Sequence, residues 1–510
     1  MTPALHNRRC VAIALAVQRF PKSIAFLAGL ISATAFAPLD LWPLMPLAFA
    51  VLLWLLADAR TVWRAAGLGW VAVVLLSLYL ALFPMLATAA AWLLVRMVAN
   101  RDSPAHPLTF ATFGRLLRVA TRLSTLPLAL ALAASWIANE WLRATVFTGF
   151  AWNPVGVIWL WDLGYARAAT LIGTFGLSAL TVVAGGVVTA ALRRERLGAP
   201  VLFGTVLLGF VPVLFTASPP PAARRVPITV VQPNIGQEDK WREDEAALHF
   251  ARLANLSRGP GGTPRLLFWP EAAVPEYLED EAFARQRSAM LLGPGDVLLT
   301  GGVSLVRDPT TGEVTSAHNS LFALDSAATI RGRYDKAHLV PYGEYLPMRP
   351  LLSAIGLSRL APGDLDFLGG PGPRTLTLPS GLKMGVQICY EIIFSGHVVD
   401  RADRPDFLFN PSNDAWFGRW GPPQHLAQAR LRAIEEAMPT VRSTPTGISA
   451  VIDANGRLLA ALPWRTAGAI NTVLPSPAAP TLFARFGNLL PALLALVLAA
   501  AAVATARRAR

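Results

Sequence analysis

Long apolar runs dominate the first 217 residues of the chain and return close to its end. Each run approaches the ~20 residues that a helix needs to cross a bilayer. The pattern therefore predicts about eight membrane spans, at 22–38, 40–57, 65–80, 81–98, 124–143, 166–191, 198–216 and 486–504. The stretch from 65 to 98 is short for two full spans, so two short tilted helices and a re-entrant hairpin both remain open there.

The hydrophobic pattern changes after Ala217, where a proline-rich linker follows. From 226 to 475, short apolar runs that end in Pro, Asn or Gly alternate with segments of helical period. The predicted strands are PITVVQPN, PRLLFWPE, VLLTGGVSL, NSLFALD, KMGVQICYE and DFLFNPSN, and the predicted helices are EDEAALHFARLANL and PQHLAQARLRAIEEAM. This alternation favours an α/β domain that carries its functional side chains at strand ends.

The two patterns divide the chain into three predicted parts. Residues 1–217 form a transmembrane bundle, 222–478 form the α/β domain, and 483–510 hold the last span and a basic tail. Arginine clusters stand between the apolar runs, which is typical of the positive-inside rule. We therefore expect both chain ends in the cytoplasm and the α/β domain on the periplasmic side of a bacterial inner membrane.

The composition favours a membrane protein over a soluble enzyme. Of the 510 residues, 54% are hydrophobic and only 15% are charged. The formal charge of +13 would suit a nucleic-acid-binding protein, but lysine is scarce and the arginines follow the membrane pattern. We therefore expect no nucleic-acid partner. The two cysteines lie far apart and make no disulfide framework.

Reactive side chains follow apolar stretches of the α/β domain. Cys389 ends the run GVQIC, Glu271 follows the run LLFWP, and Lys336 and Glu344 stand in a loop with Pro and Gly. Taken singly, they have ordinary explanations: a buried core thiol, a surface carboxylate and solvated loop residues. Together, a thiol, a carboxylate and an amine at strand ends supply the nucleophile, the base and the oxyanion stabiliser of acyl transfer.

The stretches around these residues carry a resemblance to a known family. FWPE, YDKAHLVPYGE and ICYE resemble the three signatures of the nitrilase, or carbon–nitrogen hydrolase, superfamily. Joined to about eight spans, they resemble the bacterial apolipoprotein N-acyltransferase family. Further matching stretches are VVQPNIGQEDKW, HNSL, SNDAWFG and HLAQARLRAIE in the α/β domain, and YLALFP and ASWIANEWLRATVFTGFAW in the membrane part.

The resemblance implies a fold and a reaction. The α/β domain would be a nitrilase-like αββα sandwich that faces the periplasm on a membrane α-helical bundle. A phospholipid, typically phosphatidylethanolamine, would donate an acyl chain, and the free α-amine of a diacylglyceryl-cysteine apolipoprotein would accept it. The family uses no metal or cofactor, and we expect a monomer.

The resemblance also implies roles for individual residues. Glu271 would be the base, Lys336 the oxyanion stabiliser and Cys389 the nucleophile. Substrate-binding or supporting roles would fall to Glu344, Tyr390, Glu391, Trp241 and Trp416. The aromatic side chains at 416–420 are expected either to hold the acyl chain away from water or to pack in the core.

Two other interpretations stay open. A membrane-tethered amidase would use the same triad with water as the acceptor, although a tether needs one span rather than about eight. A non-catalytic membrane transporter or scaffold would carry a degenerate nitrilase-like domain. Acidic or basic residues within the membrane would favour that last interpretation.

Overall fold

A computed structural model describes the chain over residues 19–73, 78–99, 123–215, 226–239, 242–259, 262–354 and 366–508. The chain divides into two compact units. The first joins residues 1–217 to residues 486–510, and the second spans residues 218–485 and holds two β-sheets. The C-terminal helix therefore belongs to the same unit as the N-terminal helices.

In chain order the α-helices are α1 (Pro21–Ser32), α2 (Leu44–Ala57), α3 (Val62–Val73), α4 (Leu78–Ala99), α5 (Thr125–Thr145), α6 (Leu163–Ala166), α7 (Ala169–Leu192), α8 (Gly198–Phe215), α9 (Ala246–Leu256), α10 (Ala282–Ala289), α11 (Arg349–Ala354), α12 (Gly421–Glu436), α13 (Leu482–Phe486) and α14 (Leu489–Arg508). Short 3-10 helices lie at Ala33–Ala35, Val146–Thr148, Val155–Trp161, Glu243–Glu245, Cys389–Ile393 and Asp414–Phe417.

The first unit is a helical bundle. Helix α5 packs against α4, α7 and α14, and α7 also packs against α2 and α8. Because α5 is rich in Ala, and α7 in Ala, Gly and Thr, their backbones can approach their neighbours closely. Most residues of both helices are buried, so α5 and α7 form the centre of the bundle.

Within the described part of the chain, three helical segments are long and apolar enough to cross a membrane. They are Leu80–Ala99, Ala169–Leu192 and Leu489–Arg508. Shorter apolar helical segments lie at Pro21–Ala35, Leu44–Ala57 and Gly198–Phe210. The count of about eight spans therefore stays a prediction. In the stretch from 65 to 98, α3 and α4 pack against each other, while residues 74–77 lie outside the described ranges.

The second unit contains two six-stranded sheets. Its strands are β1 (Pro227–Gln232), β2 (Leu266–Phe268), β3 (Val297–Arg307), β4 (Val314–Asp325), β5 (Ile330–Asp335), β6 (Thr375–Thr377), β7 (Lys383–Val386), β8 (Phe407–Pro411), β9 (Thr440–Ser443), β10 (Ala450–Ile452), β11 (Leu458–Ala461) and β12 (Gly468–Val473). The first sheet has the order β12-β1-β2-β3-β4-β5 and the second has the order β11-β10-β9-β8-β7-β6.

The inner faces of the two sheets share one apolar core. Phe268 of the first sheet packs on Phe407 and Phe409 of the second, with ring centroids 6.1 and 4.8 Å apart. Helices α9 and α10 contribute Leu253 and Ala284 to a separate core on the outer face of the first sheet. On the second sheet, α12 packs beside β9 and the turn Cys389–Ile393. This layering is the αββα sandwich that the sequence predicts.

The parallel strands of both sheets fix where the functional loops emerge. Strands β1, β2 and β3 run parallel, and so do β7, β8 and β9. Loops that follow neighbouring parallel strands leave a sheet at one edge. The segments after β2 and β7 carry Glu271 and Cys389.

Candidate active site

Cys389 stands at a sharp turn after strand β7, which lies next to the edge strand β6. That strand ends at Val386, and Cys389 is the first residue of the 3-10 turn Cys389–Ile393. Its φ of +51° lies in the left-handed region, which residues other than glycine rarely adopt. The thiol is free and buried. Strand β7 lies within the predicted stretch KMGVQICYE, and Cys389 begins the turn that follows the strand.

Glu271 lies in a turn that is docked closely on β3. The Gly301 N–H donates to the Pro270 carbonyl at 3.2 Å, and the Ala273 N–H donates to the Gly301 carbonyl at 3.1 Å. A Cβ atom on Gly301 would lie only 2.4 Å from the Ala272 nitrogen and 2.7 Å from the Glu271 Cα. Glycine at 301 is thus what lets the turn carry Glu271 so close to the sheet.

Lys336 follows β5 and is only 1% exposed. Its Nζ donates to Glu344 Oε1 at 2.9 Å and lies 3.7 Å from Glu271 Oε1. Asn319 bridges the two carboxylates, because its Nδ2 donates to each of them at 2.8 Å. The Asn319 carbonyl also accepts the Lys336 backbone N–H at 2.9 Å. One asparagine of β4 therefore positions the lysine and both glutamates.

The charges around Cys389 define its resting state. Burial and the Glu271 carboxylate raise the pKa of the Cys389 thiol well above its ordinary value, and the Lys336 ammonium only partly counters them. Burial alone would lower the pKa of Lys336, but the Glu344 and Glu271 carboxylates raise it above its ordinary value. The site therefore holds a protonated thiol beside a permanent cation, and the thiol needs a base to react.

Two family models cover most of this chain. The carbon–nitrogen hydrolase model matches residues 228–476, and the model of the apolipoprotein N-acyltransferase N-terminal domain matches residues 28–187. The apolipoprotein N-acyltransferase of Rhodopseudomonas palustris is 36% identical over 92% of this chain and 92% of its own length. The chain belongs to the apolipoprotein N-acyltransferase family. The resemblance that the sequence motifs carry is thereby confirmed.

Further relatives and a solved structure extend the comparison. Apolipoprotein N-acyltransferases of Bradyrhizobium diazoefficiens and Caulobacter vibrioides are each 35% identical, over 92% and 93% of this chain and 92% of their own lengths. A mutant of an amidase from Nesterenkonia, of the nitrilase superfamily, aligns with 51% of this chain and 94% of its own at 17% identity and a TM-score of 0.36.

In this member of the apolipoprotein N-acyltransferase family, Glu391 links the loop that follows Lys336 to the turn Cys389–Ile393 (here called the nucleophile turn, after the proposed role of Cys389). Its Oε1 accepts from Tyr334 Oη at 2.9 Å, from the Ala337 N–H at 2.8 Å and from the His338 N–H at 3.1 Å. Its Oε2 accepts from the Ile388 N–H at 2.7 Å. Burial raises the pKa of the Glu391 carboxyl to about 7. Since all four partners donate, Glu391 holds the chain on both sides of the site.

The aromatic residues of the sequence prediction are only partly described. Tyr390 is buried, with its ring 5.2 Å from Phe394. Trp420 is 47% exposed. Trp241 and the side chain of Trp416 lie outside what the structure describes.

A buried polar cluster behind Cys389 was missing from the sequence prediction. It consists of Asp414, His425 and Arg442, each at most 1% exposed. Asp414 and His425 belong to the quoted stretches SNDAWFG and HLAQARLRAIE, but no role followed from those letters. Their spacing along the chain gives no sign that they meet. Asn319, within HNSL, escaped prediction for the same reason.

Proposed function

We propose that this protein transfers an acyl chain from a phospholipid, through a thioester on Cys389, to the free N-terminal amine of diacylglyceryl-cysteine apolipoproteins. The main support is the cluster in which Glu271 and Lys336 both act on the pKa of a buried, strained cysteine. Membership of the apolipoprotein N-acyltransferase family supports the donor and acceptor classes.

The first half-reaction loads the enzyme. Glu271 takes the thiol proton as Cys389 Sγ attacks the carbonyl carbon of the phospholipid ester. The Lys336 ammonium stabilises the oxyanion that forms. When the C–O bond of the ester breaks, Glu271 returns the proton to the departing oxygen of the lysophospholipid. A thioester on Cys389 remains.

The second half-reaction transfers the acyl chain from Cys389 to the apolipoprotein. The free amine of the apolipoprotein attacks the thioester carbon, and Glu271 accepts the proton that the amine loses. Lys336 stabilises the second oxyanion in the same place. The C–S bond then breaks, and the thiolate of Cys389 recovers its proton from Glu271. Exclusion of water from the site favours the amine over hydrolysis.

The other predicted residues receive supporting roles. Glu344 accepts a hydrogen bond from Lys336 and fixes its ammonium. Glu391 and Tyr390 hold the nucleophile turn in place. We assign Trp241 and Trp416 to the substrate entrance and the acyl chain.

The cellular setting belongs to the same proposal. We place the enzyme in the bacterial inner membrane as a monomer, with a phosphatidylethanolamine-like donor and with the catalytic domain, 222–478, in the periplasm. Within the part of the chain that the structure describes, three helical segments of spanning length and apolar character support a membrane location. The bundle at 1–217 and the helix and tail at 483–510 would anchor the domain.

Mass spectrometry of the acyl-enzyme tests this proposal. Purified enzyme incubated with phosphatidylethanolamine vesicles should gain one acyl mass on Cys389. The Cys389→Ala variant should gain none, and the matched variant Cys10→Ala should behave as wild type. A diacylated peptide with a free N-terminal cysteine amine should then discharge the preformed thioester far faster than buffer, whereas its N-acetylated form should not.

The same experiment separates the rival interpretations. Discharge by buffer as fast as by the free-amine peptide would replace the transferase with a membrane-bound hydrolase. Normal turnover by the Cys389→Ala variant would remove the nucleophile assignment altogether. A failure of wild type to gain an acyl group from any phospholipid would remove the phospholipid donor and leave the amidase and the non-catalytic interpretations.

A further inference from the structure

Behind the nucleophile turn, a chain of buried polar groups ends on the backbone of Cys389. His425 Nε2 lies 3.0 Å from the Cys389 carbonyl oxygen. His425 Nδ1 lies 2.8 Å from Asp414 Oδ1 and 3.1 Å from an Arg442 guanidinium nitrogen. Arg442 donates to both oxygens of Asp414 at 2.6 Å. The three side chains come from α12, from the turn Asp414–Phe417 and from β9.

The chemistry of the partners fixes the direction of the contact with Cys389. A backbone carbonyl can only accept a hydrogen bond, so His425 Nε2 must carry a hydrogen and donate it. Burial raises the pKa of Asp414, but the Arg442 guanidinium and the His425 ring outweigh it and bring this pKa to about 2. Asp414 is therefore a carboxylate that stays fixed by Arg442, and it faces the other ring nitrogen of His425.

Holding this carbonyl also orients the atoms that react. The peptide bond between Cys389 and Tyr390 is planar and trans, so the carbonyl of Cys389 and the N–H of Tyr390 point to opposite sides. A hydrogen bond that fixes the carbonyl therefore fixes the direction of the Tyr390 N–H and of the turn that presents Sγ. The left-handed φ of Cys389 is unfavourable for a cysteine and needs such external support.

We propose that His425, held by Asp414 and Arg442, is a positioning residue that keeps the Cys389–Tyr390 peptide in its reactive orientation. The proposal rests on the function given above, in which Cys389 forms a thioester. It predicts that loss of the His425 donor slows acylation of Cys389 without weakening phospholipid binding. The thiol itself should keep its reactivity toward a reagent that forms no oxyanion.

Two substitutions at 425 separate the donor from the bulk of the ring. In His425→Gln the amide group can reach the place of Nε2, so a donor to the Cys389 carbonyl is kept. In His425→Asn the amide reaches only the place of Nδ1, so that donor is lost while the contact with Asp414 can persist. His397→Asn, at an exposed histidine of the same unit, is the matched control.

The measurement is the single-turnover rate of thioester formation on Cys389 from phosphatidylethanolamine vesicles, with the vesicle concentration varied. We expect His425→Asn to lower the maximal rate ~100-fold at unchanged half-saturation, because small misplacements of reacting groups cost rates of that order. His425→Gln should stay within about tenfold of wild type. In each variant, iodoacetamide should alkylate Cys389 at the wild-type rate.

Other results would overturn the positioning role. An equal fall of the maximal acylation rate in His425→Gln and His425→Asn would contradict it. So would a change in the half-saturating vesicle concentration with no change in that rate. Faster alkylation together with a lower melting temperature would show a merely structural histidine. If His425→Asn does not fold, Asp414→Asn takes its place, and a wild-type acylation rate in that variant would contradict the proposal. Absence of thioester in wild type would instead contradict the function itself.

Discussion

At the scale of single residues, the site brings two carboxylates against one buried ammonium. Lys336 Nζ lies 2.9 Å from Glu344 and 3.7 Å from Glu271, and Asn319 donates to both acids. One ammonium and two carboxylates lie close together here with little water around them. Such buried charges need fixed hydrogen bonds to compensate for the lost solvation. The two glutamates therefore differ in their contacts: Glu344 accepts a hydrogen bond from Lys336 at 2.9 Å, whereas Glu271 lies 3.7 Å from it. In the proposed mechanism, Glu271 exchanges a proton with Cys389.

The first prediction concerns the charge of Glu271. Because this carboxylate raises the pKa of Cys389, Glu271→Gln should lower that pKa and increase the thiolate fraction at any given pH. Alkylation of Cys389 by iodoacetamide should then become faster and its pH midpoint should fall. Thioester formation should nevertheless slow by ~10²–10⁴, the usual contribution of a general base.

Mass spectrometry of alkylated Cys389 over a pH series measures the alkylation rate and its pH midpoint. Single-turnover acylation measures the rate of thioester formation. Glu313→Gln, on the exposed turn between β3 and β4, should change neither rate. Slower alkylation of the Glu271→Gln variant would show that this carboxylate does not set the pKa of the thiol.

The second prediction concerns Lys336. Lys336→Ala should slow both half-reactions by ~10²–10³, the usual effect of losing one oxyanion donor, and should leave phospholipid binding largely intact. Lys336→Arg should not restore the rate, because a planar guanidinium does not replace the point charge of a lysine that is only 1% exposed. Separate measurements of thioester formation and of its discharge by the free-amine peptide check this.

Lys383→Ala is the matched control, because that lysine pairs with Asp403 at the surface. A Lys336→Ala variant that forms the thioester slowly but discharges it at the wild-type rate would restrict the oxyanion role to the first step.

At the scale of secondary structure, the turn after β2 and the strand β3 act as one piece. Three backbone hydrogen bonds join them, from Trp269 to Leu299, from Gly301 to Pro270 and from Ala273 to Gly301, at 2.9, 3.2 and 3.1 Å. Glu271, the proposed base, is thus carried by a turn that is hydrogen-bonded to the sheet. Such support is what a reaction needs when misplacement by an ångström is costly.

The third prediction tests that support. In Gly301→Ala the new Cβ would meet backbone atoms of 271 and 272 at 2.4–2.9 Å, so the turn must move. We expect thioester formation to fall by ~10²-fold, because the base is displaced. In Gly302→Ala the Cβ would meet only the Phe322 ring, at 3.2 Å, and acylation should stay near wild type. Equal rates in the two variants would show that the turn is not held by β3.

Prediction from sequence succeeds for elements with a strong local signal. Strands β1, β2, β7 and β8 and helix α9 lie within predicted stretches, and β3, β4 and α12 overlap their predicted stretches but extend beyond them. The strands have apolar runs and the helices have an apolar face of helical period. Strands such as β5 (IRGRYD) and β11 (LLAA) were not predicted. The first alternates polar residues at the edge of a sheet, and the second is short and exposed, so neither has a distinctive hydrophobic pattern.

In the candidate site, too, only residues with a strong local sequence signal are predicted. Cys389 and Glu271 follow apolar runs, and Cys389, Glu271 and Lys336 all stand in family motifs, so their sequence context suggests them. Asn319 and His425 act on groups that are 25 to 48 positions away along the chain. Only the pairing of β3 with β4 and the packing of α12 against the turn Cys389–Ile393 bring them there.

At the scale of the whole molecule, arginine placement and apolar helices must agree on one topology. Helix α14 ends in Arg507 and Arg508, and the helical segment Leu489–Arg508 is long and apolar enough to cross a membrane. Basic residues that flank a span are retained on the cytoplasmic side. If α14 crosses the membrane, the domain that precedes it lies on the opposite side from the C-terminal tail.

The fourth prediction is that reporter fusions after residues 217 and 510 give opposite readouts. A reporter active only in the periplasm should be active at 217 and silent at 510, and a cytoplasmic reporter should show the reverse. Replacing Arg507, Arg508 and Arg510 with Glu should weaken the contrast, because the positive charges that retain the tail are lost. Arg457→Glu, on a turn of the second unit, is the control. It should leave the difference between the reporter readouts at 217 and 510 unchanged. The same reporter readout at both fusion points would mean that α14 does not cross the membrane. The active site would then have to meet its lipoprotein acceptor on the side of the membrane where the tail lies.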